Sequence, residues 1–325
     1  MSRLPKIPPS LLQTTGEVQF GRYLGEINVD FLRTWDAQKK LRRRIERKAW
    51  IYFGLFHEDF ILGFAMADTG YIGLCFCYYY DRKQKAFLEE KKMKPLGFPT
   101  AFSPTALTPW SFGSGNKAWK VTPTANHWDV EFSGKAIRLT ARFEKMLRGI
   151  TAVARAKNRP FNATYKLAGI PVTGEIEVRG AKTKFSAQGA VDLTLGYPAR
   201  KTFWHWACLC GTTSSGETVG MNLVAHFNQG LENAVFTKAE TFGLGEVTFT
   251  PGKRPAVDIW RVTNEEDQIA ITFTPEGARS ENLNLIAVRD RFVQVFGKFE
   301  AEVNIEGRLV RFAGTGVVEE HFAVW

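Results

Sequence analysis

The stretch Trp50-Ile51-Tyr52-Phe53-Gly54-Leu55-Phe56 is followed by the polar triplet His57-Glu58-Asp59 and then by the apolar run from Phe60 to Ala67. Two runs of aromatic and aliphatic residues around a short polar triplet are typical of an antiparallel hairpin. A second turn at Asp68-Thr69-Gly70 leads into the aromatic run from Tyr71 to Tyr80. This part of the chain therefore predicts a meander of antiparallel strands.

The same arrangement recurs in the second half of the chain. The run from Phe203 to Cys208 predicts a strand, and the run from Val219 to Phe227 predicts its return strand. Trp204-x-Trp206 in the second half corresponds to Trp50-x-Tyr52 in the first, which indicates an internal duplication. Short alternating strands with glycine turns fill most of the remaining sequence. Together they predict an all-β fold of two antiparallel barrels in tandem.

The duplication divides the chain into two predicted domains. Residues 1–190 would form an N-terminal barrel with a basic segment and an irregular, proline-rich insert, and residues 191–325 a C-terminal barrel. Helical patterns occur in only two places. The spacing of apolar residues in 31–47 predicts an amphipathic helix, and the pattern of residues 143–158 also fits a helix. These helices would be additions to a framework of strands.

The composition indicates a globular protein with a large apolar interior. Among 325 residues, 44% are hydrophobic and 26 are phenylalanine, which adds apolar area without a polar group. The first ten residues lack the apolar core of a signal peptide. No stretch approaches the roughly 18 apolar residues that a membrane-spanning helix needs. We therefore expect a soluble protein in the cytoplasm.

Positive charge is concentrated in the first part of the chain. The net charge is +10, but residues 1–200 carry 32 lysines and arginines against 17 acidic residues, whereas residues 201–325 carry 11 against 16. The densest basic segment, residues 39–48, fits either a solvated face, an anionic membrane surface or a nucleic acid. A membrane surface is the better functional partner because Phe31 and Trp35 precede the segment on the predicted helix. Without a recognisable nucleic-acid module, we expect no nucleic-acid partner.

Several motifs resemble one bacterial family. In the second half these are Glu232-Asn233-Ala234-Val235-Phe236, Trp260-Arg261-Val262, Gln294 to Phe299 and Glu319 to Trp325; in the first half they are Lys48 to Tyr52, Ala67 to Tyr71 and Lys166 to Gly174. The family is DUF2804, a domain of unknown function whose members are similar to carotenoid hydratases and AttH-like proteins. The resemblance implies two lipocalin-like barrels and a cavity suited to apolar ligands, but no activity. The family pattern implies an arginine between Trp204 and Trp206, and His205 departs from this pattern.

The candidate catalytic residues are Glu319, Glu320 and His321. Strand alternation puts Glu319, His321 and Trp325 on one face and Glu320 on the other. A carboxylate beside an imidazole can orient the ring and tune its pKa for proton transfer. The same residues could instead close the end of a barrel through hydrogen bonds, so both interpretations stay open.

The candidate ligand-binding residues are polar or aromatic positions within apolar strands. Polar side chains there must satisfy one another or point at a ligand. Tryptophans on one face of a strand can form a wall for a flat or polyene ligand, or can simply fill the core. The set consists of Trp204, Trp206, Asn222, Glu232, Asn233, Gln294 and Trp325.

The four cysteines form two Cys-x-Cys pairs, Cys75/Cys77 and Cys208/Cys210. Zinc sites usually space their ligands as C-x₂₋₄-C in loops, whereas these pairs lie within predicted strands of different barrels. Free cysteine commonly behaves as a small buried hydrophobe. We therefore expect four free thiols, no metal and no cofactor.

Three functional hypotheses remain open. The first is binding of an apolar small molecule, lipid or isoprenoid-like, in a barrel cavity. The second is an acid–base enzyme of the hydratase, isomerase or cyclase type acting on such a ligand. The third is association of the basic half with an anionic membrane surface or a nucleic acid. A carboxylate and an imidazole converging on the cavity would favour the second hypothesis over the first.

Overall fold

Strands account for 68% of the structure, which confirms the predicted all-β class. The computed structural model describes residues 2–13, 15–27, 40–95, 100–101, 109–113, 119–145, 148–266, 268–284 and 289–325. The first part of the chain contains β1 (Ser2–Arg3), β2 (Gly21–Leu24), helix α1 (Lys40–Glu46), β3 (Lys48–Phe56), β4 (Phe60–Asp68), β5 (Ile72–Asp81), β6 (Ala86–Pro95), β7 (Thr100–Ala101), β8 (Trp110–Phe112), β9 (Trp119–Pro123), β10 (His127–Ser133), β11 (Ile137–Glu144), β12 (Ile150–Ala154), β13 (Asn162–Val178) and β14 (Ala181–Gly196). The second part contains β15 (Lys201–Thr213), β16 (Thr218–Ala225), a 3₁₀ turn (Asn228–Gly230), β17 (Ala234–Thr237), β18 (Thr241–Gly243), β19 (Thr248–Thr250), β20 (Trp260–Thr263), β21 (Ile269–Asn284), β22 (Arg289–Ile305) and β23 (Arg308–Val324).

These strands form two curled antiparallel sheets. Among the described residues, the first sheet has 13 strands in the order β6-β5-β4-β3-β14-β13-β11-β10-β9-β8-β7, with β12 pairing with β13 and β2. The second sheet has 10 strands within the same residues, in the order β1-β18-β17-β16-β15-β23-β22-β21-β20-β19. Each sheet curls into a half-barrel. The predicted fold class of two lipocalin-like antiparallel barrels is thereby confirmed.

The chain passes from the first sheet to the second between β14 and β15, at residues 197–200. The N-terminal strand β1 nevertheless pairs with β18 of the second sheet, where Arg3 lies opposite Phe242. The N-terminus therefore ties the two sheets together. The division into domains at residue 190 stays a prediction.

Alternate residues of β3 and β15 face different apolar compartments. Phe53 of β3 packs against Phe143 inside the first sheet, with ring centroids 4.8 Å apart. Its neighbour Tyr52 points the other way and packs against Trp206 of β15, at 5.7 Å. On β15, Leu209 belongs to the core inside the second sheet, whereas Trp206 belongs to the core that both sheets share. A third compartment therefore lies between the sheets.

The structure corrects one predicted helix and describes part of the other. Residues 150–154 form β12, because they pair with β2 on one side and β13 on the other. The helical pattern at 143–158 was therefore misleading. The predicted helix at 31–47 corresponds to α1 at its end, and residues 31–39 lie outside the described residues. Neither α1 nor any other described helix has the length and apolar character needed to cross a membrane.

Candidate functional site between the two sheets

A cavity of about 190 Å³ lies in the compartment between the two sheets. Strand β3 supplies one wall and strands β15, β22 and β23 supply the opposite one. The sequence predicts a ligand in a barrel cavity, whereas this cavity is bounded by strands of both sheets. Seven predicted site residues line it: Trp204, Trp206, Glu232, Gln294, Glu319, His321 and Trp325.

Aromatic side chains from both sheets form one side of the cavity. Trp50 of β3 stacks on Trp204 of β15, with centroids 6.4 Å apart and rings inclined by 12°. The Trp50 ring also stacks on Trp325, with centroids 6.4 Å apart and rings inclined by 22°. Trp206 meets Tyr52 edge to face at 5.7 Å. The Trp-x-aromatic patterns of the two halves thus face each other, since alternate residues of a strand point to the same side.

Glu319 and His321 lie next to each other on the cavity face of β23. Glu319 Oε1 accepts a hydrogen bond from Trp204 Nε1 at 3.0 Å and lies 3.1 Å from His321 Nδ1. Its second oxygen, Oε2, accepts a hydrogen bond from Gln294 Nε2 at 2.8 Å. On the far side of the imidazole, Asp290 Oδ1 lies 2.5 Å from Nε2. The imidazole is therefore held between two carboxylates.

The two carboxylates keep His321 charged. Burial alone would lower the pKa of His321, but hydrogen bonds to Asp290 and Glu319 and their charges outweigh burial and raise that pKa to about 9. At neutral pH the ring is an imidazolium with both N–H groups donated to carboxylates. Its chemical role is accordingly to position and neutralise the carboxylates, since it has no further nitrogen to offer a ligand.

A second buried ion cluster lies on the first sheet. Register places Lys166 of β13 opposite Asp192 of β14, with Nζ 2.6 Å from Asp192 Oδ2. Glu232, in the loop before β17, reaches across from the second sheet to lie 3.1 Å from the same ammonium group. Burial would lower the pKa of Lys166, yet the two carboxylates raise it. The cluster therefore holds the two sheets together with a charged lysine at its centre.

Asp192 has a raised pKa and one carboxylate oxygen that is not hydrogen-bonded by a described residue. Burial raises the pKa of Asp192 to about 6, and the charge of Lys166 opposes that rise only in part. Its Oδ1 atom is buried and has no hydrogen-bond partner among the described residues. A carboxyl group in an apolar pocket with a pKa near neutrality can exchange a proton with a ligand. Asp192 is thus the best-placed acid–base group of the cavity.

Lys48 also lines the cavity but its donors are occupied. Its Nζ donates to the carbonyl oxygens of Ile45 and Thr69 at 2.7 and 2.8 Å and lies 5.7 Å from the Trp325 ring centroid. Burial lowers the pKa of Lys48 to about 7. The side chain therefore links α1 to the turn after β4.

Three predicted site residues do not line the cavity. Glu320 lies on the opposite face of β23, with Oε2 3.2 Å from His205 Nε2. Asn233 is fully buried, and its Oδ1 accepts a hydrogen bond from the backbone N–H of Val224. Asn222 lies behind the cavity wall, where its Oδ1 accepts a hydrogen bond from Trp206 Nε1 at 2.8 Å. Asn222 thereby fixes the orientation of a cavity tryptophan.

Seven charged residues of the wall were not among the predicted site residues: Lys48, Asp68, Lys166, Asp192, Arg279, Glu281 and Asp290. Two of them carried a usable signal, because each is a lone charge within an apolar strand: Tyr165-Lys166-Leu167 and Val191-Asp192-Leu193. Buried charges of this kind must be paired or functional. Asp290 carried no such signal, since its sequence neighbours Arg289 and Arg291 are also charged.

The described part of the basic segment is engaged in ion pairs within the chain. Arg44 and Arg47 both bind the carboxylate of Asp68, at 2.6 and 2.5 Å. Arg42 pairs with Glu46 at 2.7 Å. Association of this segment with an anionic membrane, and the expected lack of a nucleic-acid partner, stay predictions.

All four cysteines are buried free thiols. Cys75 and Cys77 lie on β5, whereas Cys208 and Cys210 lie on β15. Burial raises the pKa of Cys75, Cys77 and Cys208, so these thiols stay protonated at neutral pH. Protonated thiols are poor metal ligands.

Comparisons with known proteins place the chain in a family and a fold. The model of the family described as Domain of unknown function (DUF2804) matches residues 6–325, and no curated protein matches the chain significantly. A candidate AttH protein from Nitrosomonas europaea has a TM-score of 0.55 and 14% identity, covering 84% of this chain and 92% of its own. Kievitone hydratase from Nectria haematococca has a TM-score of 0.53 and 11% identity, covering 84% and 88%. CghA in complex with Sch210972 has a TM-score of 0.53 and 8% identity, covering 84% and 87%. The match to the family model confirms the predicted family, and the likenesses to solved structures confirm the lipocalin-like fold.

Proposed function

The chain belongs to the DUF2804 family, and from that premise we propose that it binds an apolar small molecule, lipid or isoprenoid-like, between its two sheets. The observation that carries the proposal is the cavity itself, with tryptophans from both sheets on one side and a few buried polar groups on the other. Small-molecule sites are typically concave, mostly apolar and equipped with a small number of polar groups that orient the ligand.

Native mass spectrometry of the purified protein tests the proposal. We expect a co-purified lipid or isoprenoid on the wild-type protein, and its loss in Trp325→Ala, because this substitution removes a ring that stacks on Trp50. Leu309→Ala is the matched control, since Leu309 lies at the other end of β23 and is 50% exposed. Equal ligand occupancy in all three proteins would contradict the assignment to this cavity.

A second candidate function is acid–base chemistry of the hydratase type, and Asp192 favours it. In such a reaction a carboxylic acid gives a proton to one carbon of a double bond, and water adds to the other carbon and returns a proton to the carboxylate. Atoms and charge balance without a cofactor. Asp192 supplies a carboxyl with a pKa of about 6 and an unpartnered oxygen beside an apolar space. The likeness to kievitone hydratase supports the same chemistry.

Deuterium uptake distinguishes the enzyme from the binder. The ligand recovered from the protein is incubated with wild-type protein in D₂O and followed by mass spectrometry. We expect the enzyme to incorporate solvent deuterium at carbon and Asp192→Asn to bind the ligand without incorporation. Asp258→Asn is the matched control, because Asp258 lies in a surface turn where its carboxylate accepts a hydrogen bond from the backbone N–H of Arg254. We expect this variant to incorporate deuterium into the ligand like wild type. Absence of uptake by wild-type protein would leave binding as the function.

A further inference from the structure

Gln294 lines the cavity and carries a buried hydrogen-bond acceptor that no described residue satisfies. Its Nε2 donates to Glu319 Oε2 at 2.8 Å. A carboxylate only accepts, so the amide must direct its NH₂ group toward Glu319 and its oxygen away from it. This Oε1 atom is buried, and no residue in the described part of the chain donates a hydrogen bond to it. The neighbouring strand thereby fixes the orientation of the amide.

Asp192 presents a second acceptor of the same kind. Its Oδ2 binds Lys166, whereas its Oδ1 is buried and unpartnered. Asp192 and Gln294 stand on different sheets and line the same cavity. Leaving a buried acceptor unsatisfied is costly, so a ligand that donates a hydrogen bond to either oxygen gains affinity.

Of the four cationic side chains among the described residues of the wall, three are already neutralised, each by two carboxylates. Lys166 lies between Asp192 and Glu232. His321 lies between Asp290 and Glu319. The third cation follows the same pattern: Arg279 lies 2.7 Å from Glu89 and 3.6 Å from Glu281.

An anionic ligand would therefore meet an excess of carboxylates. Lys48 offers no alternative, because its Nζ donates to backbone carbonyls and burial lowers its pKa to about 7, which leaves it mostly uncharged at pH 8. A carboxylic acid entering the cavity would lose its hydration without gaining an unpaired cation, which is unfavourable. The charge arrangement selects for an uncharged ligand.

We infer that the ligand of this cavity is an uncharged alcohol or phenol whose hydroxyl donates a hydrogen bond to Gln294 Oε1 or Asp192 Oδ1. The inference rests on the proposed binding function and narrows its ligand class. An apolar chain or ring would lie against the tryptophans, and the hydroxyl would face the polar wall. Fatty acids and other apolar anions would be poor ligands even where their apolar part fits.

Three probes with one chain and different head groups test the inference. Geraniol, geranyl methyl ether and geranic acid are titrated at pH 8 and followed by tryptophan fluorescence, and the series is repeated on an n-decyl chain. We expect the alcohol to bind about tenfold more tightly than the ether, as one hydrogen bond to a buried acceptor predicts, and more tightly than the acid. Equal affinities, or preference for the acid, would overturn the inference and leave the binding function intact. Failure of all six probes to bind would count against both.

A substitution at Gln294 tests whether the polar wall of the cavity causes the preference for the alcohol over the ether. Gln294→Met keeps the length of the side chain and removes the acceptor, so the alcohol should lose its advantage while the ether keeps its affinity. Retained ether binding also shows that the variant is folded. Gln84→Met, in the exposed turn between β5 and β6, is the matched control and should bind like wild type. An unchanged alcohol preference in both Gln294→Met and Asp192→Asn would overturn the assignment to these two oxygens.

Discussion

At the residue scale, His321 shows how a charged group is kept in an apolar wall. Its imidazolium lies against the Trp204 ring, with centroids 4.1 Å apart, and donates to a carboxylate at each nitrogen. Removing the ring would leave Asp290 and Glu319 side by side with no cation between them. Breaking a buried charge pair in this way usually costs more than the pair itself contributes.

The raised pKa of His321 makes the stability of the protein depend on pH. The pKa is about 9 in the folded protein and 6.5 in the unfolded chain. The protonated ring therefore contributes fully below pH 6.5, and its contribution is lost as the pH rises to 9. The difference corresponds to on the order of 3 kcal/mol. Lys48 acts in the opposite sense, because burial lowers its pKa to about 7 and its contribution to stability therefore grows as the pH rises. The contribution of His321 is therefore measured as the difference in stability between wild type and a variant without the imidazole, and we expect this difference to shrink across the window.

Two histidine variants check this prediction by thermal denaturation. His321→Gln should be less stable than wild type by on the order of 1–3 kcal/mol at pH 6, and the gap should close by pH 9.5. His127→Gln, on the first sheet outside the cavity, is the matched control and should follow the wild-type curve. A gap between wild type and His321→Gln that stays constant from pH 6 to 9.5 would show that His321 is not held as an imidazolium.

At the scale of single strands, alternation was a reliable guide to which residues share a face. It predicted that Glu319, His321 and Trp325 lie together and that Glu320 faces the other way, as the structure has it. Alternation could not predict the partners that pairing brings alongside. Asp290 reaches His321 from β22, where the register places it opposite Ala323. That register depends on the turns and the whole sheet, which a local pattern does not contain.

The backbones of the two sheets come into direct contact between β13 and β16. A bulge in β13 places Gly169 in the left-handed region, at φ +77°, and its N–H donates to Cys210 Sγ at 3.1 Å. Gly220 of β16 packs directly on this bulge, and a Cβ there would lie 2.2 Å from the carbonyl of Ala168. Only glycine allows the backbones to come so close.

Gly220→Ala should therefore push the sheets apart next to the cavity. We expect its free energy of unfolding to fall by about 1–3 kcal/mol, the usual cost of overpacking, together with weaker ligand binding. Gly245→Ala is the matched control, because the nearest atom to its Cβ would be 4.0 Å away. It should change stability by less than about 0.5 kcal/mol. Urea denaturation measures both variants, and equal stabilities would contradict the close packing of the sheets.

At the scale of the whole molecule, the cavity is a property of two sheets and not of either alone. The Trp-x-aromatic repeat predicted two similar units and correctly indicated strands with one aromatic face. It could not show that Trp50 and Trp204 would face each other, because a periodic pattern does not say what lies opposite. The same limit applies to Lys166 and Glu232, which come from different sheets and meet only after the sheets have packed.

The shared core predicts that the two sheets unfold together. Buried residues of both sheets, among them Ile51, Phe53, Trp204 and Trp206, belong to one continuous core, and β1 joins the N-terminus to the second sheet. Scanning calorimetry should therefore show a single transition with equal calorimetric and van't Hoff enthalpies. A ligand of the cavity should stabilise the whole molecule, by about 2.7 kcal/mol at a free concentration of 100 times Kd. Geraniol is the probe, and geranic acid at the same concentration is the control that should shift the transition less. Two separate transitions, with only one of them shifted by the alcohol, would show that the ligand site belongs to one sheet alone.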